Sequence, residues 1–542
     1  MIRKRKRLLA LLCAAAMLLA LTGCGQSETA DPYSDIPAST GGKDIERAEM
    51  ADEIFSLNSN SKFSFNPLIA TNHANQLICS LVYENMLELD NNFEVIEGAG
   101  LIKEWSVSED GRSWQFTMDT THTFHDGTPV TALDLRRSLE YAIVADRYRG
   151  RFASIQGVSH TEDTMYVTLG IANTQFYKLL NIPVCMHGTM GDDHPMGSGP
   201  YMWNEDGTEL LAYTGHNGYD ELPVDKVYVK EYTDAAGILS AYEDAVIDVV
   251  LNDPSSSTNL GYSSSNESRT FATTNMHYVA FNEESALGRY SNIRTALSYG
   301  FDRRYFADEL MRGNAVASPI PMYPTCSCYP EELAAANQYD LERCRVILEN
   351  YGIRDYDEDG KLEFSSGNNA DLSMTMIVSS DSSIKAGMVR HFVEDMASIG
   401  LTVQVRELSW DEYVKALEEG KLEDDTEYDM YYAEVKLRND FDLTELLQVR
   451  NKNNEGTNIN FTRSTDRVFE TYIDNYLAAS DMDRANQYAI LAQYILTTGT
   501  LIPIGFEKQE LITHRGVCKG VDPNMGDPLY GFTTWEIDLK KK

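Results

Sequence analysis

Residues 372–408 read LSMTMIVSSDSSIKAGMVRHFVEDMASIGLTVQVREL, and their periodicity decides the class of fold. Leu372, Met374, Met376 and Val378 alternate with Ser373 and Thr375, the two-residue period of a strand with a buried face. Met388, Phe392, Met396 and Ile399 then recur at steps of three and four, which predicts a helix, and Val389 and Val393 widen its apolar face. Gly400 stands where a glycine ends such a helix. Leu401, Val403 and Val405 alternate with Thr402, Gln404 and Arg406 as a second strand. This spacing predicts a parallel pair buried beneath its crossover helix, and so an α/β architecture. Further on, Ala485, Tyr488, Ala489, Ala492, Ile495 and Leu496 predict another amphipathic helix. A strand-like run from Leu501 to Phe506 follows it. No internal repeat is found.

The N-terminus predicts export. Arg3, Lys4, Arg5, Lys6 and Arg7 precede an apolar run from Leu8 to Leu21, too short to span a bilayer comfortably. Leu21-Thr22-Gly23-Cys24 closes the run and resembles a bacterial lipobox. That resemblance implies cleavage after residue 23 and a diacylglyceryl anchor on Cys24, two acyl chains being enough for stable attachment. Residues 24–43, rich in Ser, Thr, Gly and Asp, then read as a flexible tether.

The 542-residue chain carries a formal charge of −37, and loss of residues 1–23 would remove basic residues and no acidic ones. A surface so acidic repels nucleic acid and anionic lipid, so the lipid and not electrostatics must hold the body to a membrane. Its 43% hydrophobic content excludes a disordered chain. Beyond Cys13 and Cys24 stand Cys79, Cys185, Cys326, Cys328, Cys344 and Cys518, which export would allow to form disulfides. Structural disulfides or plain buried thiols are expected, because Cys326-Ser327-Cys328 has no second pair at zinc-like spacing. Asp355-x-Asp357-x-Asp359-Gly360 begins like a calcium loop, but Ser366 stands at the twelfth position where a bidentate Glu is required, so no metal is expected. G-x-S-x-G, H-E-x-x-H and P-loop patterns are all missing, which leaves an enzyme reading without a nucleophile or metal centre.

Three segments carry a resemblance. They are Leu101-Ile102-Lys103-Glu104-Trp105, Asp110-Gly111-Arg112-Ser113-Trp114-Gln115-Phe116, and Phe124-His125-Asp126-Gly127-Thr128-Pro129-Val130-Thr131-Ala132. Their mechanics are legible directly: Asp110-Gly111 and Asp126-Gly127 form turns, and Thr131 with Asp134 N-caps a helix holding Leu135, Leu139 and Ala142. His125 and His122 read as histidines packed beside a turn. Together these segments resemble the signature of family 5 extracellular solute-binding proteins, the oligopeptide-, dipeptide- and nickel-binding components of ABC importers. Further matches follow in the family's order. They are Gly197-Ser198-Gly199-Pro200-Tyr201, Phe281-Asn282, Ile293-Arg294-Thr295-Ala296-Leu297, Phe301-Asp302-Arg303, Trp410-Asp411-Glu412-Tyr413, Gly420, and Tyr428-Asp429.

The resemblance implies a type II periplasmic-binding-protein fold of two α/β lobes around a ligand cleft. Lobe I would take residues 44–75, 189–275 and 500–542, a smaller inserted domain 76–188, and lobe II 276–499. It also implies a monomer, free of cofactors, that captures a peptide-like small molecule and delivers it to ABC permease and ATPase subunits. Relatives carry an aromatic–Asp segment whose carboxylate holds a ligand ammonium, and this chain departs from it at residues 431–442. The Asp falls near Arg438 or Asp440, and the spacing does not choose between them. Asp440 suits an ammonium, whereas Arg438 suits a carboxylate. Trp410, Tyr432, Glu434 and Asn460 complete the candidate set, with Asn458 beside Asn460. A surface receptor or adhesin that keeps the fold without transport is the alternative, and an extracellular hydrolase a third.

Overall fold

The computed structural model describes residues 54–541, apart from 257, 258, 260, 263–265, 366, 367 and 455. Cys24 and residues 24–43 therefore lie outside the described residues. The strands in chain order begin with β1 (Ser56–Ser59), β2 (Ile102–Val107), β3 (Ser113–Met118), β4 (Ile155–His160), β5 (Thr164–Leu169) and β6 (Tyr201–Trp203). There follow β7 (Glu209–Ala212), β8 (Lys226–Glu231), β9 (Val249–Asn252), β10 (Glu267–Phe281), β11 (Ala315–Ala317) and β12 (Glu363–Ser365). The last are β13 (Asn368–Asp371), β14 (Ser373–Ser379), β15 (Thr402–Leu408), β16 (Met430–Lys436) and β17 (Leu501–Thr513).

Among the described residues the main sheet has eleven strands in the order β15-β14-β16-β10-β17-β9-β1-β8-β7-β6, with β11 joining β17. Its two central members are the longest: β10 has 15 residues and β17 has 13. At about 3.3 Å per residue each runs for roughly 40–50 Å, enough to pass from one half of the molecule into the other. Their antiparallel register breaks between Ala272 and Met276. Residues 267–272 pair with 508–513, alongside β9, while 276–280 pair with 501–506, alongside β16. The sequence reading ended the last of these strands at Phe506. It continues to Thr513 because the polar residues that break the apolar pattern keep pairing, Lys508, Gln509 and Glu510 with β10 and Glu507 with Ala315 of β11.

The segment 372–408 folds as its periodicity predicts. β14 pairs in parallel with β15 over seven residues, and helix Ser383–Ser398 connects them. Gly400, at φ +87°, follows the last helical turn. Both faces of this half of the sheet are covered, which its side-chain alternation shows: Tyr278, Ala280 and Tyr431 join one core, Val279, Phe281, Met430 and Tyr432 the other. The other half has a large continuous core beside a small separate cluster of Ala241, Tyr242, Ile247, Val250 and Ile512. The large core spans the lobe and the region of the four-stranded sheet. It includes Phe55, Leu57 and Leu511 together with Trp114, Phe116 and Phe176 from the region of the four-stranded sheet β2-β3-β5-β4. Thr131 and Asp134 form the expected capping box on helix Ala132–Val144. At the return from that region the chain runs against residues 81–83 so closely that a Cβ on Gly199 would stand 2.6 Å from the Leu81 carbonyl oxygen. Only glycine fits there.

None of the six described cysteines is joined in a disulfide and four of them are buried, so of the two expectations plain buried thiols fit. Burial pushes Cys79 and Cys344 up to about 12, which keeps both protonated and inert. No helix among the described residues is long and apolar enough to cross a membrane.

Candidate functional site

Polar side chains gather where β10, β16 and β17 meet. On β16, Tyr432, Glu434 and Lys436 alternate onto one face, opposite Val279, His277 and Asn275 of β10. His277 is buried, with Nε2 2.7 Å from Glu507 Oε1 and 3.8 Å from Glu434 Oε2, and Nδ1 3.2 Å from the Tyr432 hydroxyl. Lys385, from the first turn of helix Ser383–Ser398, places Nζ 3.3 Å from Glu434 Oε2. Asn275 donates to the other oxygen of Glu507 at 3.1 Å. His277, Glu434 and Glu507 bring three donor atoms within 4.8 Å of one another, a set able to hold a metal. Lys385 already neutralises part of their charge, so the set is equally complete as an ion-paired network.

Lys436 continues this face opposite Asn275, and its side chain is exposed. Burial, with repulsion from Arg147 and Arg151 of the four-stranded region, lowers its ammonium to about 8. His73, at the start of helix His73–Val82, is lowered by burial too; Asp253 opposes that shift and Lys436 adds to it. Asp253 is raised by burial and by Glu507, and His73 pulls it back. Charged groups from both halves thus act on one another, the cations His73 and Lys436 shifted down and the carboxylate Asp253 shifted up.

Beyond the end of β16 the two halves touch. Asp440 is fully buried; its Oδ2 accepts from Asn173 Nδ2 at 2.8 Å and its carbonyl accepts from the Tyr476 hydroxyl at 2.7 Å. Asn439 donates to Asn181 Oδ1 and to the Lys178 carbonyl at 2.8 and 3.2 Å. Thr174 bonds the backbone at Leu477 and Ala479. Arg438 pairs with Asp442 at 3.0 Å and Glu445 at 3.6 Å. Burial opposes its charge, but Asp442, Glu445 and Asp440 outweigh burial and raise its value. Among the described residues its Nε finds no hydrogen-bond partner. Asp440 itself is raised, by burial and by Asp442, against the pull of Arg438 and Asn173. A 230 Å³ cavity opens beside this contact, lined by residues 143–146, Arg149, Gly150, Phe152, Ala153 and Thr457.

The remaining sequence candidates have other surroundings. Trp410 begins helix Trp410–Glu419, half-buried against Tyr413 with ring centroids 6.0 Å apart. Asn458 and Asn460 are buried in their own loop, both side-chain amides donating to the Gln448 carbonyl. His125 is held beside its turn, Nε2 3.1 Å from the Gly199 carbonyl, and burial lowers it to about 4. His122 pairs with Glu84 at 2.9 Å. Tyr432 and Glu434 therefore share one cluster, Arg438 and Asp440 another, and Trp410 and Asn460 join neither. His73, Arg147, Arg151, Asp253, His277, Lys385, Lys436 and Glu507 were missed. The available signal was a charged or polar residue inside an otherwise apolar strand: His277 before Tyr278–Phe281, and Glu507 after Ile504–Phe506.

Two α/β halves joined by the crossing strands β10 and β17 define a two-lobed protein. The model for bacterial extracellular solute-binding proteins, family 5, matches residues 98–453, and the chain belongs to that family. Heme-binding protein A of Haemophilus influenzae is 22% identical over 456 residues, covering 77% of this chain and 80% of that protein. The nickel-binding periplasmic protein of Escherichia coli is 24% identical over 301 residues, 50% of this chain and 56% of that one. The structure of the oligopeptide-binding protein AppA from Bacillus subtilis, in complex with a nonapeptide, superposes with a TM-score of 0.60 at 17% identity, covering 89% of this chain and 98% of that one. The fold is that of type II periplasmic binding proteins, as expected. Membership of that family makes the chain a solute-binding protein.

Proposed function

We propose that this protein captures a peptide-like solute between its lobes and delivers it to a membrane permease. The observation that carries this reading is the charged face from Glu434 to Lys436 on β16, which the crossing strands bring to the junction of the two halves. Arg147, Arg151 and Lys436 repel one another there, an arrangement that a ligand carboxylate would relieve. Glu434 and Asp253 belong to the same group of charges and suit a ligand ammonium. Arg438, the sequence candidate for the carboxylate, is already paired with Asp442 and Glu445, which favours Lys436 in that role. The break in β10 between Ala272 and Met276 supports a lobe boundary at 275/276, and the shared core supports residues 76–188 moving with lobe I. Closure would then be read by the permease as the loaded state. A lipid on Cys24 would hold the body outside the cytoplasmic membrane, leaving ATP hydrolysis to the partner subunits.

Isothermal titration with a panel of short peptides tests the reading. Binding is expected, with a loss of about tenfold or more in Glu434→Gln and in Lys436→Met, the size of one charge-assisted hydrogen bond. Absence of heat for every peptide, or affinity unchanged in both variants, would remove it. The grouping of His277, Glu434 and Glu507 favours a metal chelate as the second reading, and binding of nickel–histidine in place of peptides would select it.

A further inference from the structure

Away from this junction, the chain between helix Leu341–Asn350 and β14 makes a tight acidic loop. Asp355 accepts from the backbone N–H groups of Asp359 and Gly360, Asp357 from Asp359, and Asp359 from Lys361, so the three carboxylates turn inward around Gly360. Gly360 has φ +88°, and the reversal of the chain there requires a glycine. Arg354 and Glu363 close the loop through two backbone hydrogen bonds of 3.1 and 3.0 Å. That closure carries the Glu363 side chain underneath. Carboxylate oxygens of Asp355, Asp357, Asp359 and Glu363 then lie within 4.8 Å of one another.

Acidic loops are common on so acidic a protein, and the three aspartates alone would mean nothing. Glu363 is different. It is wholly buried; its Oε2 accepts from Tyr356 N at 2.6 Å, and its Oε1 is buried without a hydrogen-bond partner among the described residues. A buried carboxylate oxygen left unsatisfied beside three aspartates is costly unless a cation supplies the missing partner. The nearby cation, Lys361, is half-exposed on the outside of the loop, 3.8 Å from Asp359 and bonded to Asp371.

We propose that Asp355, Asp357, Asp359 and Glu363 form a calcium site. Oxygen-only donors exclude a preference for softer metals, and four carboxylates in a flexible loop suit Ca²⁺ better than the rigid octahedron of Mg²⁺. The sequence template fails here because it seeks the buried Glu at the twelfth position, where Ser366 stands. The fold brings Glu363 in from the ninth position instead. The loop packs on the end of the crossover helix, where Leu362 N donates to the Gly400 carbonyl at 2.9 Å. The ion would therefore brace the β14–helix–β15 unit.

The test is calorimetric titration of Ca²⁺ into the purified, EDTA-stripped full chain, with thermal melting in parallel. Saturation is expected by about 10 mM, an order of magnitude above the weakest constants of extracellular calcium modules. The melting temperature should rise with Ca²⁺, and rise less with Mg²⁺ at equal concentration. Both effects should vanish in the double variant Asp357→Asn, Asp359→Asn, whose exposed, isosteric changes leave the fold intact. No heat and no shift in the unaltered chain, or the same shift in the double variant, overturns the site.

Discussion

Replacing Arg438 with Met should destabilise the second lobe strongly at neutral pH and weakly in acid. Its guanidinium is 12% exposed and faces Asp442, 1% exposed, at 3.0 Å and Glu445, 29% exposed, at 3.6 Å. Methionine keeps the apolar stem but leaves these carboxylates and Asp440 without their cation. Breaking a buried pair from one side costs about 3–5 kcal/mol, and the partial exposure of Glu445 places this case near about 3. For a unit of 150–250 residues that is a fall in melting temperature of roughly 6–12 °C. The pH dependence has a definite sign. Asp440 and Glu445 already titrate above their ordinary values through burial, and Arg438 is the group that restrains both shifts. Without it they rise further. An acid with a raised folded value binds its proton more tightly when folded, so it destabilises above that value and recovers as pH falls. The deficit measured by thermal melting should therefore shrink between pH 7 and about pH 5. A loss below about 2 °C at pH 7, or one undiminished in acid, would refute this account of the contact.

Three other outcomes follow from particular residues. Lys436 titrates near 8, so affinity for a ligand carboxylate should hold below that pH and fall as pH rises through it; a flat titration profile from pH 7 to 9 would count against the role. A methyl group at Gly199 would sit 2.6 Å from the Leu81 carbonyl, and Gly199→Ala should cost about 1–3 kcal/mol in urea unfolding, whereas Gly207→Ala, with open space around it, should lose only what its positive φ exacts. Cys24→Ala should release the protein from membranes into the soluble fraction, and continued tight association would dismiss the lipid anchor.

What the sequence made legible follows physical lines. The unit at 372–408 was readable because burial on a regular element imposes a period, and Met374, Met376, Phe392 and Val403 all obey it. Capping at Thr131 and Asp134 was readable because the chemistry is local. The charged junction was not. His73, Arg147, Asp253 and Lys436 are separated by up to hundreds of residues, and only the crossing of β10 and β17 brings their elements together. Residues 431–442 stand out in the sequence as a departure from the family pattern, but their surroundings depend on partners far away: Asn173 for Asp440 and Lys385 for Glu434. Asn460 shows the converse, a partner close in the chain. An amide-rich loop suggests ligand contacts, yet its amides satisfy the carbonyl of Gln448 within the same loop.

Native mass spectrometry of the chain, purified without refolding and exposed to a mixed peptide pool, tests the central claim most directly. The account predicts a population shifted by discrete peptide masses, and loss of that population in the combined Glu434→Gln, Lys436→Met variant. A bare protein mass alone, or peptide adducts that survive the double substitution, would contradict it.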